Sequence, residues 1–353
     1  MAGKPALIIH LSLLTAAFIS SCSSLGLSAA FANSHKAQNS LSSSNSPNSQ
    51  NSPTSAQIRS IQKSAKPRIV SLAPSNTELL CSVGAKDQII GVSTFCDYPK
   101  EVNGITKVGT FISANMERLA RLKPDLVMLV SGQEELASKI KNHHLNAVII
   151  DNSKLTDIGK NLKQVGELSG NCQEGKEAAE NFATKLQDLA IIIKKAKGSP
   201  KVFYCVWPQP LMTAGKPSFI HGIITSCGGT NVAGDINVSY PRFSLERLVL
   251  SNPDLIIMPY EARKQAFMKQ SPWNKLQAVR LNHVYYLPDQ KNDVLSRPTL
   301  RVIKGIAWLA GIFHPELKSE LTTWSENTTV RKTANRSFLP ATHNSFNNVY
   351  VRN

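Results

Sequence analysis

Two stretches of this chain carry the same pattern: "MERLARLKPDLVML" at residues 116–129 and "LERLVLSNPDLIIM" at residues 245–258. Their leading glutamates, Glu117 and Glu246, lie 129 positions apart, and the Glu-Arg-Leu and Pro-Asp-Leu triplets keep that offset. Each copy predicts a short helix that ends before a proline, followed by an apolar run typical of a parallel strand buried on both faces. The chain is therefore expected to contain two similar α/β lobes.

A long helix is predicted between the two copies. Apolar residues from Phe182 to Ile193 recur at helical spacing, and neither proline nor glycine occurs at residues 176–197. Apolar strands alternate with helical patterns on both sides of this segment, which is the signature of α/β architecture. The predicted units are an N-terminal lobe at 67–170, a connecting helix at 171–197 and a C-terminal lobe at 198–316.

The two ends of the chain lack the pattern of a folded lobe. Residues 1–21 combine an early lysine with an apolar stretch, the composition of a secretory signal. "ISSC", which ends at Cys22, resembles a bacterial lipoprotein box, so Cys22 is expected to carry a lipid that anchors the chain to a membrane in the periplasm or cell envelope. Ordinary cleavage after Ala32 is the alternative. The remaining end segments are a Ser/Asn-rich flexible tether at 22–66 and a polar tail at 317–353.

Most other chemistry is excluded by the sequence. The net charge of +16 comes largely from scattered lysines without aromatic-interleaved basic motifs, so no nucleic-acid partner is expected. Neither a G-x-S-x-G elbow, an H-E-x-x-H motif nor a phosphate-binding loop occurs, so we expect no enzyme and no resident cofactor. The adjacent His143 and His144 lie in a polar helical stretch and do not form a metal-binding pattern.

Three segments in a fixed order carry a resemblance to a known family. They are "RIVSLAPSNTELL" at residues 68–80, "GVSTFCDYP" at 91–99 and the doubled unit described above. Arranged around one central helix, they resemble the helical-backbone substrate-binding proteins of bacterial ABC importers, whose members carry cobalamin, haem or ferric siderophores. The resemblance implies the class III periplasmic-binding-protein fold and a monomer that docks on a permease dimer. It is greatest for the cobalamin-binding members, and a ferric siderophore or haem is the alternative ligand.

The same resemblance implies roles for individual residues. The docking glutamates of the family match Glu117 and Glu246, which would bind permease arginines; the simpler alternative is that glutamate only favours the first turn of a helix. The family's ligand-contacting positions match three aromatic and two charged residues of this chain: Phe95, Phe111, Tyr240, Asp293 and Arg297. For the three aromatic residues the alternative is ordinary core packing.

Some positions depart from the family pattern or allow a second interpretation. Val130 and Met212 occupy two positions that are aromatic in cobalamin-binding members. With an iron chelate, Arg242 and Arg297 would pair with anionic groups and Tyr240 would ligate iron.

Two further features concern local structure. Ser75 and Glu78 have the spacing of a helix capping box. Cys227 matches a family cysteine whose partner position is Ala310 here, so no disulfide is implied.

Overall fold

The computed structural model describes residues 66–330 apart from residue 265. The predicted signal at 1–21, the lipidation candidate Cys22, the tether up to residue 65 and residues 331–353 lie outside the described residues. In the described part, two sheets with their own helices flank one long helix. None of the described helices is both long enough and apolar enough to span a membrane.

The first lobe is built on a parallel sheet with the strand order β3-β2-β1-β4-β5. Strands β1 and β4 are buried throughout, as expected for apolar runs covered by helices on both faces. The strands are β1 (Ile69–Ser71), β2 (Ile89–Ser93), β3 (Lys107–Gly109), β4 (Leu126–Val130) and β5 (Ala147–Ile150). The helices are α1 (Pro74–Ser82), α2 (Met116–Leu122), α3 (Glu134–Asn142) and α4 (Asp157–Ser169).

The second lobe repeats this plan with an antiparallel edge. Its sheet has the order β10-β9-β6-β7, and a short strand β8 pairs in parallel with the start of β6. The strands are β6 (Lys201–Pro208), β7 (Leu211–Thr213), β8 (Thr230–Asn231), β9 (Leu255–Pro259) and β10 (Val284–Leu287). The helices are α6 (Phe219–Ser226), α7 (Leu245–Ser251), α8 (Gln277–Arg280), α9 (Asp289–Ser296), α10 (Val302–Phe313) and α11 (Lys318–Val330).

The repeated Pro-Asp-Leu triplet has the same structural role in both lobes. The Asp125 carboxylate accepts the backbone N–H of Arg68 at 2.7 Å, directly before β1. The Asp254 carboxylate accepts the backbone N–H of Lys201 at 2.7 Å, at the first residue of β6. Each aspartate thus fixes the beginning of the first strand of its own lobe, and the predicted duplication of an α/β unit is confirmed.

The long helix α5 (Cys172–Ile193) follows the first lobe and is about 33 Å long at 1.5 Å per residue. It packs against α4, where Gly166 and Gly175 face each other. A Cβ on Gly166 would lie 2.9 Å from the Cα of Gly175 and 2.7 Å from the carbonyl oxygen of Asn171. Glycine is therefore needed at this crossing, and the predicted fold class of two α/β lobes joined by one helix is confirmed.

The two lobes share one continuous apolar core. The largest cluster of buried side chains extends from Leu80 in α1 through Phe182 and Leu189 in α5 to Ile257 in β9 and Ile306 in α10. Because the interior of a protein is close-packed, a large rotation of one lobe would have to break this packing. The lobes are therefore expected to move little relative to each other.

Two sequence predictions are wrong. The polar tail expected from residue 317 begins with α11, which places Leu321 and Trp324 against α10 and the shared core, because its apolar residues recur at helical spacing. The capping box of Ser75 and Glu78 does not form. Pro74 starts α1, and no side chain caps that helix. Glu78 is instead buried, with partners in the other lobe.

Candidate ligand cleft and docking helices

An apolar cluster lies at the carboxyl ends of the strands of the first sheet. Phe111 and Val130 are buried there against Ala73, and Phe95 packs on them while remaining partly exposed. Phe95 follows β2, Phe111 follows β3, and Val130 ends β4. This edge of a parallel sheet is where ligands bind in open α/β folds. The structure therefore brings the predicted Phe95 and Phe111 together, with Val130 as their neighbour.

A tight loop presents Phe111. Gly109 and Ala114 form a β-bridge, and the N–H of Thr110 donates to the carbonyl oxygen of Ser113 at 2.7 Å. A Cβ on Gly109 would lie only 2.2 Å from that carbonyl oxygen, so the loop requires glycine. The buried amide of Gln133 then fastens the loop to β4, because it donates to the carbonyl of Phe111 and accepts the N–H of Val130. The position of Phe111 is thus fixed by the backbone around it.

A small pocket occupies the corresponding edge of the second sheet. It is lined by residues at or near the strand ends together with α9, including Tyr204, Tyr240, Pro259, Leu287 and Ser296. Burial raises the pKa of Tyr240 to about 12, and burial also raises the pKa of Tyr204. Both phenols are therefore neutral at pH 7 and offer aromatic surface with a hydroxyl group. Met212 is buried in β7, where it bridges the backbone of Arg242.

Arg297 and Asp293 lie at the junction of the two lobes. The Arg297 guanidinium contacts the carboxylates of Asp97 at 2.8 Å, Asp293 at 2.9 Å and Glu78 at 3.1 Å, and only 7% of the side chain is exposed. Burial alone would lower the pKa of Arg297, but these three carboxylates raise it. For Asp293, burial raises the pKa while Arg297 opposes that shift. The positive charge of Arg297 is thus balanced within the protein.

Glu78 is the centre of this ion cluster. Its side chain is 3% exposed and accepts hydrogen bonds from both Arg297 and Arg301, and from the Thr299 hydroxyl at 2.9 Å. The Arg301 guanidinium also lies 3.8 Å from the ring centroid of Tyr98 in the first lobe. We call Glu78, Asp97, Asp293, Arg297 and Arg301 the lobe clamp, since Glu78 and Asp97 of the first lobe bind arginines of the second.

The lobe clamp joins the two apolar surfaces. Asp97 follows Phe95 by two residues, and Arg297 directly follows Ser296, which lines the pocket of the second lobe. The aromatic cluster and the pocket thus lie next to the clamp, one in each lobe, which makes the space between them the candidate cleft. This is the usual position of a ligand between two α/β lobes.

The predicted docking glutamates lie outside the cleft, on α2 and α7. Glu117 and Glu246 are exposed at the second position of their helices. Asn115 caps α2 by accepting the N–H of Arg118 at 2.9 Å, and Ser244 caps α7 by accepting the N–H of Arg247 at 3.1 Å. Hydrogen bonds from its own backbone N–H and from Ser244 lower the pKa of Glu246, so this carboxylate is ionised at neutral pH.

The described residues provide neither a metal site nor a disulfide. Within residues 66–330, excluding 265, no group of three His, Cys, Asp or Glu side chains is arranged to hold a metal ion. The five cysteines of that range are unpaired; Cys227 is buried against α10 and lies near the carbonyl oxygen of Ile306 at 3.5 Å.

Several important residues were not found from the sequence. Glu78 was assigned to a local cap, whereas its partners Arg297 and Arg301 lie more than 200 positions away. Asp97 lies within a segment that carried the family resemblance, but its pairing with Arg297 had no sequence signal. Gln133 likewise acts through backbone groups of a distant loop. The only available hint was that Glu78 is the single charged residue of its helix.

Comparison with known proteins agrees with this architecture. A family model described as "Periplasmic binding protein" matches residues 69–291. An uncharacterized ABC transporter substrate-binding lipoprotein of Bacillus subtilis is 30% identical, covering 75% of this chain and 85% of the relative. A vitamin B12-binding protein of Vibrio parahaemolyticus is 30% identical, over 68% of this chain and 86% of the relative.

A solved structure shares the fold as well. The periplasmic vitamin B12-binding protein of Vibrio cholerae superposes with a TM-score of 0.61 at 25% identity, covering 75% of this chain and 98% of that protein. Both α/β lobes and the helix between them thus have a known counterpart. The chain belongs to the periplasmic binding protein family, and it is a substrate-binding protein of the ABC-importer type rather than an enzyme.

Proposed function

We propose that this protein captures a corrinoid in the cleft between its lobes and delivers it to the permease of an ABC importer. Phe95, which is partly exposed and packs on the buried Phe111, offers flat apolar surface on one side of the proposed cleft. The pocket with Tyr204 and Tyr240 offers a second aromatic surface on the other. Large aromatic side chains give extensive contact at low entropic cost, which suits a planar macrocycle.

The charge balance of the lobe clamp is the observation that carries this proposal. Three carboxylates, from Glu78, Asp97 and Asp293, surround two arginines, Arg297 and Arg301. The cluster therefore has one negative charge in excess, and its partly exposed members are the carboxylates of Asp97 and Asp293 and the guanidinium of Arg301. Neutral amide groups, which form the periphery of a corrinoid, can donate hydrogen bonds to carboxylates. Anionic groups would be repelled.

A ferric siderophore or haem is the second candidate. It is favoured by Arg242, which is exposed and lies two residues after Tyr240 in the sequence. Against it, the guanidinium of Arg297 is already bonded to three carboxylates. Burial raises the pKa of Tyr240, the candidate iron ligand, to about 12, so the deprotonation that iron binding requires is less favourable than for an exposed tyrosine. The corrinoid is therefore the better fit.

Delivery requires that the protein reach its permease. We propose that Glu117 and Glu246 bind arginines of the permease, one from each lobe, because carboxylate–arginine pairs fix orientation through paired hydrogen bonds. A lipid on Cys22 would hold the protein at the membrane in the same proposal. The "ISSC" motif and the lipoprotein relative support that anchor.

Titration with three ligands tests the choice of substrate. The purified full chain would be titrated separately with cyanocobalamin, haemin and a ferric hydroxamate, with binding followed by absorption and tryptophan fluorescence. We expect saturable one-to-one binding of cyanocobalamin and no saturable binding of the other two. Saturable binding of haemin or the ferric hydroxamate without binding of cyanocobalamin would replace the corrinoid proposal by the iron-uptake alternative.

A further inference from the structure

The two docking helices differ in a way that the internal repeat makes visible. Helices α2 and α7 have the same length, begin at polar caps and end at residues with positive φ, Lys123 and Asn252. Their central leucines, Leu119 and Leu248, are fully buried. The helix length, the polar cap, the terminal positive-φ residue and the buried leucine are therefore duplicated. The exposed residues around each glutamate differ between the two helices.

In the first lobe the docking glutamate already has a partner. The Arg121 guanidinium contacts the Glu117 carboxylate at 2.6 Å, one helical turn away, and both side chains are more than 70% exposed. A permease arginine that approaches Glu117 must therefore compete with Arg121 or share the carboxylate with it. Such exposed pairs are weak, but they still reduce the gain from a new partner.

In the second lobe the corresponding position is Leu250, so no such pair forms. Among the described residues, no lysine or arginine lies within ion-pair distance of Glu246. The neighbouring Arg247 is turned to Asp235, which it contacts at 2.6 Å. The carboxylate of Glu246 therefore faces solvent without a competing cation.

The same face of α7 exposes apolar side chains. Leu250 is 86% exposed, Val249 is 36% exposed, and both are one turn from Glu246. The equivalent residues of α2 are the small Ala120 and the charged Arg121. Apolar contacts around a charge exclude water from it, which strengthens a buried ion pair at an interface. An exposed leucine alone would need no explanation. Leu250, however, lies beside the Glu246 carboxylate, which has no ion-pair partner among the described residues, and this combination suits an interface.

We propose that docking is asymmetric: the second lobe binds the permease more strongly, through Glu246 surrounded by Val249 and Leu250, and Arg121 weakens the contact of the first lobe. The partner surface on this side is an arginine bordered by apolar side chains. This inference rests on the proposed docking role of the two glutamates. It adds which lobe dominates and which side chains other than the glutamates decide the affinity.

Exchanging residues between the two copies tests the asymmetry. The dissociation constant of the full chain, without added ligand, would be measured against its cognate permease complex in lipid nanodiscs. Leu250→Arg installs the residue of the first lobe beside Glu246; we expect the Kd to rise about tenfold or more, since burial of a leucine is lost. Arg121→Leu frees Glu117; we expect the Kd to fall about twofold to fivefold, the size of one weak exposed pair plus some apolar contact.

The double variant Glu117→Ala/Glu246→Ala distinguishes a failure of the docking role from a failure of the proposed asymmetry. If it binds the permease as tightly as the parent, the docking role of the glutamates is wrong. If it loses binding while Leu250→Arg binds like the parent, or if Arg121→Leu weakens binding, the docking role stands and the asymmetry is wrong. Unchanged thermal melting of each variant would establish that the fold is intact.

Discussion

Glu78 shows how a single side chain can connect the lobes. It is almost fully buried, and its two carboxylate oxygens accept from Arg297, Thr299 and Arg301 of the other lobe. A buried carboxylate is stable only when it is paired and hydrogen-bonded, and this one is. Removing it would leave two arginines with fewer acceptors at the lobe junction. We therefore expect the removal of Glu78 to reduce the stability of the fold more than the affinity for the ligand.

Glu78→Ala is therefore expected to reduce the free energy of unfolding by about 3–5 kcal/mol, the usual cost of breaking a buried pair by removing one partner. Glu117→Ala is the matched control, because the same substitution there removes only an exposed pair worth about 0–1 kcal/mol. Urea unfolding of both variants would measure the difference. Equal, small losses for the two variants would contradict the importance of the lobe clamp.

Tyr240 gives a prediction for pH. Burial raises its pKa from the ordinary value of 10 to about 12, so the folded state favours the protonated phenol. The stability from this group is complete below pH 10 and is lost as the pH rises from 10 to about 12. We expect a late tyrosinate absorbance step that Tyr240→Phe removes, and a cyanocobalamin affinity without any Tyr240-dependent change between pH 6 and 9. A Tyr240 titration near pH 10 would contradict the buried environment.

At the scale of elements, the crossing of α4 and α5 sets how the long helix leaves the first lobe. Gly166 and Gly175 allow the two backbones to approach, and any Cβ there meets backbone atoms at less than 3.0 Å. Backbone atoms cannot move aside as a flexible side chain could. In contrast, Gly159 in the same helix α4 has open space around its Cβ position. Close packing therefore requires glycine at position 166, whereas packing does not require it at position 159.

Alanine at position 159 and alanine at position 166 should change the stability of the protein in opposite directions. Gly159→Ala is expected to stabilise the protein by about 0.4–1 kcal/mol, because it restricts the unfolded chain without a clash. Gly166→Ala gains the same helix propensity but is expected to destabilise by about 1–3 kcal/mol, since it overpacks the crossing. Denaturant midpoints of the two variants provide the measurement. Stabilisation by both would show that the helices are not as close as described.

The elements also show what sequence could and could not predict. The repeated strands β4 and β9 and helix α5 follow from apolar runs and helical spacing, which are local signals. The helical pattern of α4 is weakened by Gly159 and Gly166. The helical pattern of α11 is obscured because most of its residues are polar. The lobe clamp could not be predicted because, apart from the local Asp293–Arg297 pair, its pairings join residues about 200 positions apart. Phe95 and Phe111 were expected from the resemblance, whereas their packing around Val130 was not.

At the scale of the molecule, the two lobes form one frame that carries the proposed ligand cleft and the proposed docking helices. The shared apolar core, α5 and the lobe clamp all connect the lobes, so we expect the proposed cleft to be largely preformed. A preformed site loses little conformational entropy when the ligand binds. The proposed docking helices lie outside this cleft, which allows the ligand and the permease to be bound at the same time. Capture and delivery can then be separated by substitution.

The most direct test is isothermal titration of the full chain with cyanocobalamin, in the parent and in two phenylalanine variants. Phe111→Ala removes the buried ring that packs with Phe95 at the proposed cleft, whereas Phe243→Ala removes an equally buried ring from the core of the second lobe. The account predicts one binding site per chain, an affinity reduced about tenfold or more by Phe111→Ala, and an unchanged affinity in folded Phe243→Ala. Absence of cyanocobalamin binding in the parent, or equal affinity in parent and Phe111→Ala, would contradict it.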